Sequence, residues 1–276
     1  MSNQFAYAQW PWGTKTREEF IQSCADMSAV GFKYFESVRA FIDTFINDFA
    51  DFKAITDEYD VHPVSFYFHL KGNYENDVIG LKDRIGFVAK NGIKTISLQS
   101  AMFPSRPEPY TNLADNEHMR YALNTTIEVA KICREYGITP CVHPHFNSSI
   151  MYENEIDFIM QNTDPELVGF GPDTAHLVAG KCDPVTMFDR YKERIKFVHL
   201  KDITGDMDVR GIDQTIGVEV YSNFRELGEG IVDFPGVFRV LKSVNYGGYL
   251  CAELDKTRYT NKESAAISLK YLNENW

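Results

Sequence analysis

Short apolar runs rich in β-branched and aromatic residues alternate along the chain with longer amphipathic stretches. The runs predict buried strands, and the amphipathic stretches predict helices. The predicted strands cover residues 5–12, 33–38, 64–70, 95–100, 139–144, 167–173, 195–202 and 249–255. The predicted helices cover residues 16–30, 42–59, 76–91, 116–136, 154–162, 184–194, 235–244 and 262–275.

Residues at the predicted helix ends support this division. Thr16 and Glu19 have the spacing of a capping box, which marks a helix start. Gly31, Gly92 and Gly137 stand where a helix ends in a left-handed residue.

Eight strands that alternate with eight helices predict a parallel sheet closed into a TIM barrel. The chain has 276 residues, close to the roughly 250 of a typical barrel. We therefore predict one (β/α)8 domain over residues 1–276. A doubly wound open sheet is the alternative, but the chain has no glycine-rich nucleotide loop.

Two long connections, residues 101–115 and 203–233, each follow a predicted strand. In a barrel such connections lie over the face formed by the carboxyl ends of the strands, where active sites are built. Long ordered loops in compact domains often serve as lids, so we expect both to close over a substrate.

The amino-acid composition disfavours several kinds of binding partner. The formal net charge of −11, from 28 basic and 39 acidic residues, opposes nucleic-acid binding, which requires basic groups to neutralise phosphates. The five cysteines are widely spaced without a CxxC pair, which predicts reduced thiols and no cysteine zinc site. The N-terminal residues lack a signal-peptide pattern, and no apolar run approaches the roughly 18 residues of a membrane span. We expect a cytoplasmic protein with no membrane partner.

Polar residues, most of them with side chains that can bind a metal, gather at the ends of the last four predicted strands. They are His143, His145, Asp173, His176, His199, Lys201, Asp202, Glu253 and Asp255. Imidazole and carboxylate ligands that converge from adjacent strands suit a first-row divalent ion better than Ca²⁺. We predict one divalent metal ion, Mn²⁺ or Co²⁺ in first place, with Zn²⁺, Fe²⁺ and Mg²⁺ as alternatives.

Five segments in this order resemble the motifs of the xylose isomerase-like TIM barrels, the sugar phosphate isomerase/epimerase superfamily. The segments are HPHF, GPDTAHLVAG, FVHLKD, LGEGIVDFP and CAELD. The resemblance implies that Asp173, His199 and Glu253 ligate the metal. It implies a fourth ligand at the end of strand five, where His143 stands in place of the usual acidic residue and His145 is the other candidate.

The replacement of that acidic residue bears on the reaction. Ketose 3-epimerases of the superfamily use two metal-bound glutamates, whereas the HPH segment followed by DTxHL, HLKD and GEGxVDFP resembles the inosose dehydratase branch. The resemblance implies a lyase that removes water from a keto-polyol such as 2-keto-myo-inositol. A ketose isomerase or epimerase is the alternative. A non-catalytic sugar-binding barrel is the alternative from another class.

The expected chemistry assigns further roles. Glu253 would move the α-proton, and His176, Lys201 or Glu153 would protonate the departing hydroxyl. We expect Glu36, Gln99, His145 and Glu153 to bind substrate, and Trp10, Trp12, Tyr67 and Phe68 to form an apolar wall. The expected partner is a small polyol or keto-sugar substrate. The sequence is compatible with a monomer and with a homo-oligomer.

Overall fold

The computed structural model describes residues 4–204 and 223–276. The strands in these residues are β1 (Phe5–Ala8), β2 (Tyr34–Val38), β3 (His62–His69), β4 (Thr95–Gln99), β5 (Thr139–His143), β6 (Gly169–Phe170), β7 (Val198–Leu200), β8 (Asp202–Ile203), β9 (Phe224–Arg225) and β10 (Leu250–Ala252). All but β8 and β9 belong to one parallel sheet, in the order β6-β5-β4-β3-β2-β1-β10-β7. Backbone bridges from Phe170 to Ile195 and from Asp173 to His199 join its two ends. The predicted TIM barrel is confirmed.

Helices follow the strands. Those in the described residues are α1 (Arg17–Val30), α2 (Arg39–Phe45), α3 (Phe49–Glu58), α4 (Gly80–Lys90), α5 (Glu117–Glu135), α6 (Glu153–Gln161), α7 (Thr174–Ala179), α8 (Pro184–Tyr191), α9 (Phe234–Ser243) and α10 (Asn261–Asn275). Aromatic rings fill the space between the sheet and the first helices. The ring centre of Phe20 in α1 lies 6.1 Å from that of Phe35 in β2. The ring centre of Phe52 in α3 lies 6.3 Å from that of Phe66 in β3.

The predicted helix ends hold at several points. Thr16 and Glu19 form the capping box of α1, and Gly31 after it has a φ of 108°. Only glycine adopts that backbone angle without strain.

The structure differs from the sequence pattern at the second helix, at the sixth strand with the helix after it, and at the first strand. The predicted helix 42–59 is two helices, because Asp48 interrupts the first and caps α3 by accepting a hydrogen bond from the Asp51 backbone. The sixth strand is reduced to two residues, and the unpredicted α7 starts directly after Asp173. The first strand ends at Ala8, since Trp10–Trp12 form a 3-10 turn around Pro11.

Side chains of the strands alternate between the helix layer and the barrel interior. The interior holds a small apolar cluster of Ala6, Ala8, Val64, Cys141, Phe197 and Cys251, all buried. Polar residues lie two positions further along the same strands, as His143 does after Cys141. The barrel is therefore closed by apolar groups below and polar at the carboxyl ends of its strands.

The predicted lid at residues 101–115 is anchored on the loop that precedes α6. Arg106 is buried and pairs with buried Glu155, with Arg106 Nη2 2.5 Å from Glu155 Oε1. The same guanidinium donates to the Ser148 carbonyl and stacks 3.6 Å from the centre of the Tyr110 ring. The loop is thus held in place by a buried ion pair. Residues 205–222 of the other predicted lid lie outside the described residues.

Replacing Arg106 with methionine is expected to lower the free energy of unfolding by about 3 kcal/mol or more. The change leaves the Glu155 carboxylate buried without its cation, which is among the costlier single substitutions. Chemical denaturation would measure the loss.

The matched control is Arg190→Met. Arg190 binds Glu153 and Asp157 in a solvent-accessible pair, so it should cost at most about 1 kcal/mol. Equal losses from the two variants would contradict a special role for the buried pair.

The expected state of the cysteines agrees with the structure. All five are buried free thiols, and burial raises the pKa of Cys24 and Cys133 to about 12.

None of the helices in the described residues combines the length and apolar character needed to cross a bilayer.

Candidate active site

The carboxyl ends of the strands bring eight polar residues together, which we call the strand-end cluster. Its members are Glu36, His143, Asp173, His176, His199, Lys201, Glu253 and Asp255. All are buried except Asp255, whose side chain is 23% exposed. The structure therefore brings most of the candidate residues named from the sequence together in one site.

Glu36 lies deeper than expected for a residue that contacts substrate. Its Oε1 accepts hydrogen bonds from the hydroxyls of Ser65 at 2.7 Å and Ser97 at 2.6 Å, and its Oε2 lies 2.5 Å from His199 Nε2. Both carboxylate oxygens are occupied by protein, and the side chain is fully buried. This corrects the sequence expectation, since Glu36 orients His199 from below.

His199 and His143 meet edge to face at the centre of the cluster. Their Nδ1 atoms are 3.1 Å apart, and their ring planes are nearly perpendicular. Burial alone would lower the pKa of His199, but the carboxylates of Glu36 and Glu253 outweigh it and raise this pKa to about 9. Burial, reinforced by His199, lowers the pKa of His143 well below its usual value. The two rings thus lie in unlike electrostatic surroundings.

Lys201 supplies the fixed positive charge of the cluster. Its Nζ donates to Glu253 Oε1 at 2.6 Å and to Asp255 Oδ2 at 2.9 Å, and it lies 3.4 Å from Asp173 Oδ2. Burial opposes the charge on this fully buried group, but the three carboxylates together raise its pKa well above the usual value. Lys201 is therefore an ammonium ion.

His176 and His145 stack beside Lys201, with ring centres 3.8 Å apart. His176 Nε2 lies 3.2 Å from Lys201 Nζ, and His145 Nδ1 contacts the Phe146 carbonyl at 2.8 Å. Burial lowers both pKa values, that of His145 to about 3. Of the two candidates for the fifth-strand ligand, the structure brings His143 against His199.

Asp173 has a double position, as the cap of a helix and as a member of the cluster. Its Oδ1 accepts a hydrogen bond from the His176 backbone at the start of α7. Aspartate is one of the preferred residues at a helix N-cap. The helix thus fixes the carboxylate so that its other oxygen, Oδ2, faces the cluster near Lys201.

Three nitrogen or oxygen atoms of the cluster that could ligate a metal lack hydrogen-bond partners. Within the described residues they are His143 Nε2, Asp173 Oδ2 and Glu253 Oε2, all buried. Glu253 Oε2 is 3.2 Å from His199 Nε2 without hydrogen-bond geometry. Buried polar atoms normally find partners, and unsatisfied ones call for an explanation such as an ion. One nitrogen and two carboxylate oxygens in a buried site fit a divalent metal.

Ligand atoms close enough to share an ion form three groups among the described residues. One group is His143, Asp173 and His176; a second is His176, Glu253 and Asp255; and a third is Glu36, His199 and Cys251. His176, expected as a proton donor, thus belongs to two of the groups. The four expected ligands all lie in the cluster, but they do not form a single group.

Two expected substrate-binding residues have different positions. Gln99 is buried at the end of β4 beside the cluster, and its Oε1 accepts a hydrogen bond from Tyr67. Glu153 starts α6, with its side chain 49% exposed and paired with Arg190. The structure therefore does not bring Glu153 to the cluster, because the loop before α6 turns it toward solvent. Its neighbour Glu155 points inward instead.

Sequence analysis missed two residues that support the cluster, Ser65 and Ser97, which hold Glu36. It named Tyr67 only as part of an apolar wall, whereas the Tyr67 hydroxyl also holds Gln99. The sequence carried a signal for these contacts, because residues two positions apart on a strand point to the same face. Residues 65 and 67 are such a pair, and so are residues 97 and 99.

The family is decided by a match over most of the chain. Residues 24–275 match the model of the family described as Xylose isomerase-like TIM barrel. The chain belongs to this family. Asp173, His199 and Glu253 lie in three of the five segments on which the resemblance in sequence rested.

Two curated relatives to which the chain is similar are inosose dehydratases. The chain is 35% identical over 153 residues to an inosose dehydratase of Clostridium tetani, a match that covers 53% of this chain and 51% of the relative. It is 32% identical over 181 residues to an inosose dehydratase of Lacticaseibacillus casei, which covers 63% and 59%. The chain spans about half the length of the curated relatives it matches.

Solved structures share the fold. A structure of the IOLI protein with a bound zinc atom superposes with a TM-score of 0.78 at 12% identity, covering 98% of this chain and 97% of that one. The D-allulose 3-epimerase of Methylomonas sp. in complex with D-allulose superposes with a TM-score of 0.78 at 14% identity, covering 99% and 97%. At these identities the likeness concerns the fold.

Proposed function

We propose that this protein is a metal-dependent hydro-lyase that removes water from a keto-polyol such as 2-keto-myo-inositol. One observation carries the proposal: three buried ligand atoms, on His143, Asp173 and Glu253, have no hydrogen-bond partner at the mouth of a TIM barrel. The inosose dehydratases that the chain resembles supply the substrate class. The protein would therefore act as an enzyme on a small polyol.

The metal site is part of this proposal. His143, Asp173 and Glu253 would hold one divalent ion together with His199, whose ring Glu36 fixes through Nε2. A carboxylate behind a ligating histidine is a common arrangement that fixes the ring. When bound, such an ion supplies Lewis acidity at a ketone oxygen and so makes the neighbouring carbon more acidic. The IOLI structure, which carries zinc, supports a divalent ion without deciding its identity.

Glu253 is the proposed base. Its Oε1 is held by Lys201, while its Oε2 has no hydrogen-bond partner. With Oε2 on the ion, Oε1 would take the proton from the carbon next to the ketone. The hydrogen bond from Lys201 fixes the position of Oε1.

Lys201 is the proposed source of the proton for the departing hydroxyl. Lys201 Nζ and His176 Nε2 lie 3.2 Å apart. Burial lowers the pKa of His176, whereas the carboxylates around Lys201 overcome its burial and raise its pKa. The proton shared by this pair therefore resides on Lys201, and His176 is the neutral partner.

Substrate would reach the cluster through a cleft at the same end of the barrel. The cleft has a volume of about 310 Å³, and Trp10, Tyr67 and Lys71 are among its lining residues. The Tyr67 ring lies 5.1 Å from the His143 ring, so the cleft adjoins the cluster. Trp10 and Tyr67, expected from the sequence as an apolar wall, meet edge to face there.

The test is turnover of 2-keto-myo-inositol by the metal-loaded protein, followed by ultraviolet absorbance and product mass. The proposal predicts new absorbance from the conjugated product and a mass lower by one water. If 2-keto-myo-inositol did not react and a panel of ketoses gave products of unchanged mass, the lyase activity would be overturned in favour of an isomerase or epimerase.

A further inference from the structure

Tyr67 and Gln99 lie on neighbouring strands and face the barrel interior. In the parallel pairing of β4 with β5, Gln99 is the register partner of His143. Register partners in a sheet point to the same face, so Gln99 projects on the side of the strand-end cluster. The Tyr67 ring packs 5.1 Å from the His143 ring and 5.1 Å from the Trp10 ring. Both residues therefore border the place that substrate would occupy.

A single hydrogen bond decides how the Gln99 amide is turned. The Tyr67 hydroxyl donates to Gln99 Oε1 at 2.7 Å, and this fixes the amide oxygen toward β3. The amide nitrogen, Gln99 Nε2, is buried and has no partner in the described part of the chain. An amide nitrogen carries two N–H donors. The pair thus presents unused donors at the edge of the cluster.

Leaving such a buried donor unsatisfied lowers the stability of the fold. The amide could avoid this only by rotating, and rotation would place Nε2 against the Tyr67 hydroxyl and leave Oε1 without its donor. The Tyr67 ring is confined between Trp10 and His143, so its hydroxyl stays where it is. A buried donor without a partner is typical of a group that binds an acceptor on a ligand.

We propose that Tyr67 is a positioning residue that orients Gln99 to donate hydrogen bonds to an acceptor oxygen of the substrate. The recognised chemistry is a ketone or hydroxyl oxygen of a polyol, and a substrate that lacks oxygen at that place is rejected. The inference rests on the proposed function, because it concerns the same site. It adds a specificity contact made by Gln99 and a residue that acts only through it.

The test is a double-mutant cycle of Tyr67→Phe and Gln99→Leu, with kcat and KM measured on the substrate that wild type turns over. Tyr67→Phe releases the amide, so KM is expected to rise about tenfold, the equivalent of one hydrogen bond, while kcat changes little. Gln99→Leu is expected to raise KM by at least as much. In the Gln99→Leu background, Tyr67→Phe should have no further effect, because its action passes through the amide.

A second measurement does not depend on turnover. The double variant replaces both partners of a buried hydrogen bond by apolar groups and removes an unsatisfied donor, so its midpoint of thermal unfolding should equal or exceed that of wild type. Tyr7→Phe is the matched control, since Tyr7 is a buried tyrosine bonded to Ser264 at 3.0 Å in the helix layer. It should leave KM unchanged.

The outcomes separate the two proposals. A wild-type protein inactive on keto-polyols and ketoses alike would overturn the proposed function, and a lower unfolding midpoint of the double variant would then overturn the positioning role. An active wild type in which Tyr67→Phe raises KM equally with and without Gln99 would overturn the positioning role alone. Non-additive changes in KM together with a preserved unfolding midpoint would support it.

Discussion

Glu253→Gln is expected to lower kcat on 2-keto-myo-inositol by about 10²- to 10⁴-fold, the usual contribution of a general base. Glutamine has nearly the same shape, so packing is retained, but it cannot take a proton and ligates a cation more weakly. It also leaves Lys201 with one charged partner fewer among Glu253, Asp255 and Asp173. Steady-state kinetics of the metal-loaded variant would measure the effect.

The matched control is Glu128→Gln. Glu128 is an exposed residue of α5 that pairs with Lys131, and the same chemical change there should leave kcat and KM as in wild type. A Glu253→Gln variant with kcat within a few-fold of wild type would show that proton transfer is performed by another group.

Asp173→Asn is expected to weaken divalent metal binding by more than about 100-fold, since even the residues behind metal ligands contribute 10–100-fold. Asparagine is as good a helix cap as aspartate, so it can still accept the hydrogen bond that starts α7. The variant therefore removes a ligand charge while the helix is kept. Elemental analysis after dialysis and titration with Mn²⁺ would measure the loss.

Asp183→Asn supplies the control for capping. Asp183 caps α8 by accepting from the Thr186 backbone at 2.7 Å and lies outside the strand-end cluster. Its variant should bind metal like wild type. If both variants retained the metal equally, Asp173 would not be a ligand.

The barrel could be predicted because burial on both sides of each strand leaves a strong apolar signal. Eight runs and eight amphipathic stretches located the parallel strands and their order. The hairpin of β8 with β9 was missed, because each of its strands has two residues and two residues carry no periodicity. α7 was missed for a similar reason, since its six residues are apolar on several sides.

The site could be predicted from where strands end, but the depth of each side chain could not. Glu36 was expected at the substrate, yet a register shift in the pairing of β2 with β3 between Phe35 and Glu36 places it opposite Ser65, below the mouth. Glu153 and Glu155 lie on the same helix start, and only the path of the preceding loop decides which one faces Arg106 and which one faces solvent. Register and loop path depend on three-dimensional packing.

The measurement that tests the central claim most directly is turnover of 2-keto-myo-inositol as Mn²⁺ is returned to chelator-treated protein. The proposed single metal site predicts no turnover without metal and a rise that saturates when about one ion is bound per chain. It rests on the three buried atoms of the strand-end cluster that lack hydrogen-bond partners. Full turnover by protein shown to be free of metal would contradict it.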